Sequence, residues 1–137
     1  MQTNRTLRRV GTLFAFLALA AMMALPVAAK GKKPVVAIIK AEWCTACQKL
    51  EPTMMELMQQ YGDRLEFVAL DVSNEEKLAE AMKTAKKYGL SKFLRENQKK
   101  TSTVAVFGKR NKVLFQTAMN FDRNAYIKAF DDALAKS

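Results

Sequence analysis

The sequence has no histidine among its 137 residues, and only two cysteines, Cys44 and Cys47. Without histidine there is no Ser–His or Cys–His couple for nucleophilic catalysis and no imidazole for a metal. Two cysteines do not complete the shell of about four ligands that a structural zinc takes. Only a metal site shared between two chains, or one completed by carboxylates, survives. Glycine and proline are scarce, at 5 and 3. No glycine-rich phosphate loop, nucleotide or flavin motif, or EF-hand pattern is present. Acids are in deficit too: 23 Lys+Arg face 13 Asp+Glu, a formal net charge of +10. The basic residues are scattered, which reads as a solvated positive surface. No nucleic-acid-binding motif accompanies them.

What is present is Trp43-Cys44-Thr45-Ala46-Cys47, set just after the apolar run Val35-Val36-Ala37-Ile38-Ile39. That places both cysteines where a strand ends and a helix begins. A helix start offers unpaired N–H groups and the positive end of the helix dipole, which favour a thiolate. The second cysteine lies one turn in, within reach of the first for a small disulfide. Such a pair makes and breaks disulfides. The alternatives are half of a zinc site or a purely structural disulfide. A two-residue gap closes too small a loop to constrain an unfolded chain much.

Residues 1–29 read as a secretory signal. Arg5, Arg8 and Arg9 precede an uncharged apolar run from Val10 to Ala29, which closes on Val27-Ala28-Ala29. The alternative is an N-terminal membrane anchor, since about 20 such residues can span a bilayer. Either way the remainder is expected outside the cytoplasm, in the periplasm or an equivalent compartment, soluble or anchored facing it. Residues 30–34 form a basic linker, and 35–137 one small domain that keeps every acidic residue and remains basic.

Along that domain the pattern predicts strands at Val35–Lys40, Leu65–Val72, Thr103–Phe107 and Val113–Thr117. It predicts helices from about Cys44 to Tyr61, from a Ser73 cap with Glu76 as its capping-box partner to about Tyr88, and from Asp122 to the end. Ser91–Lys100 reads as a short basic helical segment around Phe93 and Leu94. Met54, Met55, Met58 and Met82 read as core filler. The order β-α-β-α-(α)-β-β-α predicts an α/β fold: a four-stranded mixed sheet with a parallel first pair, an antiparallel final hairpin and helices on both faces.

That order, with Ala41-Glu42-Trp43-Cys44, Cys47, Pro52 and Lys87-Tyr88-Gly89-Leu90, resembles the thioredoxin family over roughly residues 34–135. The Thr45-Ala46 pair is more similar to the periplasmic domain of the membrane thiol-reductant transporter than to cytoplasmic thioredoxin. The resemblance implies a thioredoxin-like fold lacking the family's first strand and helix. It also marks departures. Ile38 stands where the family has a buried Asp, and Ala69 where it has that Asp's Lys partner. Ser102 stands where it has a cis-proline, and an insertion falls near 91–100. A cis Thr101–Ser102 bond would cost about 2.5–4 kcal/mol, so either a trans bond or an enforced cis one is expected.

The resemblance implies roles. Cys44 is the exposed nucleophile with a lowered pKa, and Cys47 the more buried resolving thiol. Trp43 shields the site or packs in the core. Thr45 and Ala46 set the redox poise; neither stabilises a thiolate strongly, which favours a reductant or exchange protein. Thr101 and Ser102 line a groove with backbone groups for an extended peptide, and Ser102 is placed to donate towards Cys44. Read from their charges alone, Lys40 and Lys49 would favour the Cys44 thiolate and Glu42 would oppose it; the alternative, and the commoner role of such residues, is solvated surface. No metal or cofactor is expected beyond the Cys44–Cys47 pair itself. The expected partners are protein thiols and disulfides and a membrane thiol-reductant donor; nucleic acid is excluded, and the chain is expected to be monomeric, meeting the membrane only through its signal or anchor. The reading is an extracytoplasmic thiol–disulfide oxidoreductase. The alternatives are a non-catalytic partner-binding module, with the 91–100 insert as its docking element, and a cysteine-based metal or iron–sulfur carrier.

Overall fold

The structure is a computed structural model and describes residues 31–137. The signal or anchor segment lies outside the described residues. β1 (Val35–Lys40) is followed by α1 (Thr45–Tyr61), β2 (Glu66–Asp71), α2 (Glu75–Tyr88), α3 (Ser91–Asn97), β3 (Thr103–Phe107), β4 (Val113–Ala118) and α4 (Arg123–Ala135). The strand order is β2-β1-β3-β4. β1 runs parallel to β2 and antiparallel to β3, and β3 runs antiparallel to β4. This is the expected order and mixed sheet.

β1 is apolar on both faces because both are covered. Val36 packs with Val104, Val106 and the buried faces of α1 and α4. Ala37 and Ile39 point the other way, into a core shared with Val68, Leu70, Ala105, Phe107 and residues of α2 and α3. The Tyr61 and Phe130 rings meet edge-on at 5.3 Å, joining α1 to α4, and the Tyr61 hydroxyl donates to Asp131 Oδ1 at 3.0 Å.

The insert is part of this architecture. Leu94 is fully buried, Phe93 is buried, and the Phe93 ring meets Phe107 edge-on at 5.1 Å. Asn97 is buried as well; it donates to the Phe93 carbonyl at 2.9 Å and accepts from Gln116 Nε2 at 3.3 Å, tying α3 to β4. The Phe93–Leu94 pair therefore builds the core and is not displayed to a partner.

Two local expectations are corrected. α2 is capped by Asn74, whose side chain accepts from the Lys77 N–H at 2.9 Å, one residue beyond Ser73. The Ser73 side chain is already committed to Asp71 and Glu42. Met55 and Met58 are 56% and 42% exposed, so of the four only Met54 is buried in a core, while Met82 packs against the core on the other face of the sheet. Gly89 ends α2 in the left-handed region at φ +73°, as its lack of a Cβ permits.

Candidate redox site

β1 delivers the chain to a tight turn in which Cys44 N–H donates to the Ala41 carbonyl at 3.1 Å. Cys44 is the N-cap of α1 in extended geometry, and its Sγ accepts from the Cys47 N–H at 3.1 Å. A sulfur thus occupies the place that Ser, Thr, Asp or Asn oxygens usually take. Cys44 and Cys47 form a disulfide, with Cα atoms 5.2 Å apart. When it opens, the Cys44 sulfur lies at the positive end of a 17-residue helix with an N–H already pointed at it. Thiol–disulfide exchange is what this arrangement can do.

The relative burial of the two cysteines is the reverse of the expectation. Cys44 is only 6% exposed, whereas Cys47 is half-buried. The reason is a cavity of about 370 Å³ that reaches Cys47 from the side of α1 and β2. Its apolar wall includes Ile38, Leu50, Met54 and Ala69, and Lys40, Glu42 and Glu51 also line it. Ile38 and Ala69 are register partners on β1 and β2. They are the two positions where the carboxylate and the lysine are missing.

Ser102 closes the cavity from β3's side. Among the described residues no peptide bond is cis, so Thr101–Ser102 is trans. Ser102 instead takes φ +60°, the left-handed region that a non-glycine residue seldom adopts. Its N–H donates to the Ile39 carbonyl at 2.8 Å, and its carbonyl accepts from the Met119 N–H at 3.1 Å. Both backbone groups are engaged, so Ser102 does not offer them to an extended substrate. Its hydroxyl is buried, lacks any hydrogen-bond partner and does not reach Cys44. Thr101 is half-buried beside it.

Trp43 is 64% exposed and therefore not a core residue. Its indole N–H donates to the Ser73 carbonyl at 3.0 Å. Ser73 Oγ accepts from the Glu42 N–H at 2.8 Å and donates to Asp71 Oδ1, which also accepts from the Ser73 N–H at 2.9 Å. Burial alone would raise the Asp71 carboxyl. The Ser73 hydrogen bonds, with Lys40 and Lys77, overcome it and hold the group below its ordinary value. Sequence reasoning missed this clamp because Asp71 and Ser73 were absorbed into a strand end and a helix cap.

It also missed Met119 and Phe121, exposed at 66% and 40%. Met119 meets Ser102 through its backbone, and the Lys49 ammonium sits 4.4 Å from the Phe121 ring centroid. Lys49 is thereby placed over an aromatic ring rather than over Cys44. The loop between them is held by Tyr126, whose hydroxyl donates to the Asn120 carbonyl at 2.6 Å. Burial first, then nearby Asp122, pushes that phenol up to about 12, so it stays a donor at neutral pH. Thr45 is exposed and Ala46 half-buried on the first turn of α1.

The Thioredoxin family model matches residues 26–120 of this chain. The chain belongs to the thioredoxin family. Among curated thioredoxin relatives, it is 39% identical over 56 residues to the thiol:disulfide interchange protein TxlA of Synechococcus elongatus, covering 41% of this chain and 29% of that protein. It is 45% identical over 42 residues to the chloroplastic thioredoxin-like protein HCF164 of Oryza sativa subsp. japonica, covering 31% of this chain and 16% of that protein. The matches thus span less than half the length of either relative. A thioredoxin-like protein solved in its oxidised form shares the fold, with a TM-score of 0.55 at 20% identity over 78% of this chain and 81% of that one. A putative thiol:disulfide interchange protein DsbE from Chlorobium tepidum does so with a TM-score of 0.53 at 21% identity, over 74% of this chain and 80% of that one.

Proposed function

We propose that this protein is an extracytoplasmic thiol–disulfide oxidoreductase that reduces or exchanges disulfides in other proteins. The observation that carries the reading is the Cys44–Cys47 disulfide with Cys44 as the N-cap of α1. In the reduced protein the Cys44 thiolate attacks one sulfur of a substrate disulfide. A Cys44–substrate disulfide forms and the other substrate sulfur leaves as a thiolate. Cys47, having lost its proton, then attacks Cys44, re-forming Cys44–Cys47 and releasing the second substrate thiolate. The exposed Trp43, next to Cys44 in the chain, offers apolar surface against which a substrate chain can be pressed.

Two further statements belong to the same proposal. The domain works outside the cytoplasm, a reading the N-terminal Arg-then-apolar sequence supports, and a membrane thiol donor returns electrons to it there. TxlA's description as a thiol:disulfide interchange protein is consistent with such work.

The test is trapping. Cys47→Ala should accumulate mixed disulfides between Cys44 and partner proteins, and Cys44→Ala should accumulate few. A reversed pattern, or none from either variant, would overturn the reading. N-terminal mass spectrometry of exported protein should find Lys30 or a near neighbour first if the signal is removed.

A further inference from the structure

The cysteine that lines a cavity large enough for a small molecule is Cys47. The cavity of about 370 Å³ is lined by Cys47 and not by Cys44, so it lies on the Cys47 side of the disulfide. Its volume is at the lower end of what small-ligand sites usually have. Its walls are mostly apolar, with Ile38, Leu50, Met54 and Ala69 among them. The Ser102 hydroxyl, in a residue 1% exposed, lines the same cavity and has no partner. A buried hydroxyl left unpaired is costly, and a ligand atom that pairs with it recovers that cost.

We propose that this cavity admits a low-molecular-weight thiol with an apolar body, and that such a thiol reduces the disulfide by attacking Cys47. The inference rests on the redox reading above, since it needs an exchangeable Cys44–Cys47 bond. Two observations converge on it. Access is to Cys47, because Cys44 is the buried partner. The leaving group is right, because Cys44 departs as a thiolate at a helix start and keeps the Cys47 N–H. Attack at Cys44 would instead expel Cys47 towards an apolar wall, where a thiolate is disfavoured.

The steps balance. The thiol loses its proton to solvent, and its thiolate bonds to Cys47 as the Cys44–Cys47 bond breaks, leaving a Cys47 mixed disulfide and the Cys44 thiolate. A second thiolate of the same kind attacks the bound thiol's sulfur. That forms the small disulfide, releases the Cys47 thiolate and completes a two-electron reduction. Ser102 Oγ donates to the sulfur of the thiol held in the cavity.

The experiment uses the full oxidised chain with excess benzyl mercaptan. The reaction is acid-quenched, capped with N-ethylmaleimide and mapped by fragmentation within the peptide that carries both cysteines. The benzyl adduct should sit on Cys47 and the maleimide on Cys44. At equal thiolate concentration, 2-mercaptoethanesulfonate should react more slowly, because Glu42 and Glu51 line the cavity with it. Ala69→Phe fills the cavity from an exposed position on β2. It should slow benzyl mercaptan by about tenfold, the order of one misfitted apolar group in a pocket, with Ala69→Ser close to wild type. An adduct mainly on Cys44, or no effect of Ala69→Phe, overturns the inference while leaving the redox reading intact. If dithiothreitol does not open the disulfide at all, both fall.

Discussion

The Trp43 indole N–H donates to the Ser73 carbonyl oxygen at 3.0 Å, so the tryptophan beside the cysteines is steered by the loop before α2. Ser73 in turn holds Glu42 N–H and Asp71. Ser73→Ala removes the hydroxyl from both. It should cost about 1–3 kcal/mol, because two partners lose a hydrogen bond. It should also lower turnover of protein substrates more than reduction by dithiothreitol. Urea unfolding and an insulin-disulfide assay read the two effects.

The same clamp has a pH signature. Asp71 has a depressed folded-state pKa, so its contribution is present above the unfolded carboxylate value of about 3.9 and is lost as pH falls through the folded value. The stability gap between wild type and Asp71→Asn should therefore be largest at neutral pH and close below about pH 4. A gap that widens on acidification would show that the carboxylate is not what holds the clamp.

Ser102 cannot be exchanged for the proline that the thioredoxin resemblance would place there. Proline fixes φ near −65° and has no N–H, whereas Ser102 sits at φ +60° and donates to Ile39. Ser102→Pro should destabilise by about 3 kcal/mol or more. Ser102→Gly suits the backbone and removes an unpaired hydroxyl, so it should stabilise by roughly 1 kcal/mol. Thermal unfolding of the two variants checks both signs.

The insert supports the fold. Leu94→Ala should cost about 2–5 kcal/mol, the usual range for truncating a fully buried leucine. Arg95→Ala, on the exposed face of α3, should fall within about 0.5 kcal/mol of wild type. Deleting Ser91–Lys100 should unfold the domain rather than merely remove a partner. A deletion variant with wild-type denaturation would refute the packing role.

Ile38→Asp places a carboxylate on the cavity wall next to Cys47. It should speed release of the Cys44 mixed disulfide by up to about 100-fold, within the range of a positioned proton acceptor. The cost in stability should be about 1–3 kcal/mol. Single-turnover release alongside thermal unfolding separates the effects. Unchanged release would mean that water in the cavity already takes the Cys47 proton.

The order of elements was legible because each strand is a bounded apolar run and each long helix keeps its period. The cysteine pair was legible because its spacing and its place after a buried strand carry their own chemistry. What could not be read was anything decided across the sequence. Ser73 looked like a cap because Ser-x-x-Glu is a local pattern, but Glu42 and Asp71 compete for its hydroxyl. Ser91–Lys100 reads as an insert, and nothing local reveals that its Phe93 packs on Phe107. The burial of Cys47 was misjudged because the missing carboxylate and lysine leave a cavity, and a void has no residue to announce it. Met119 and Phe121 carry no motif; the end of β4 brings Met119 to Ser102 and Phe121 under the Lys49 ammonium.

One sulfur both caps α1 and carries the exchangeable bond, which couples redox poise to folding energetics. The midpoint potential of the pair measures how much more the fold favours the dithiol than the disulfide. Any change that strengthens the hold of the α1 N-terminus on a Cys44 thiolate stabilises the dithiol state and makes the protein a better oxidant. Substitutions at Thr45 and Ala46 are therefore electrochemical adjustments as well as helix-start adjustments. Where the unfolded chain's potential is unchanged, their effects on the unfolding free energies of the oxidised and reduced forms must differ by the free energy of their effect on the potential.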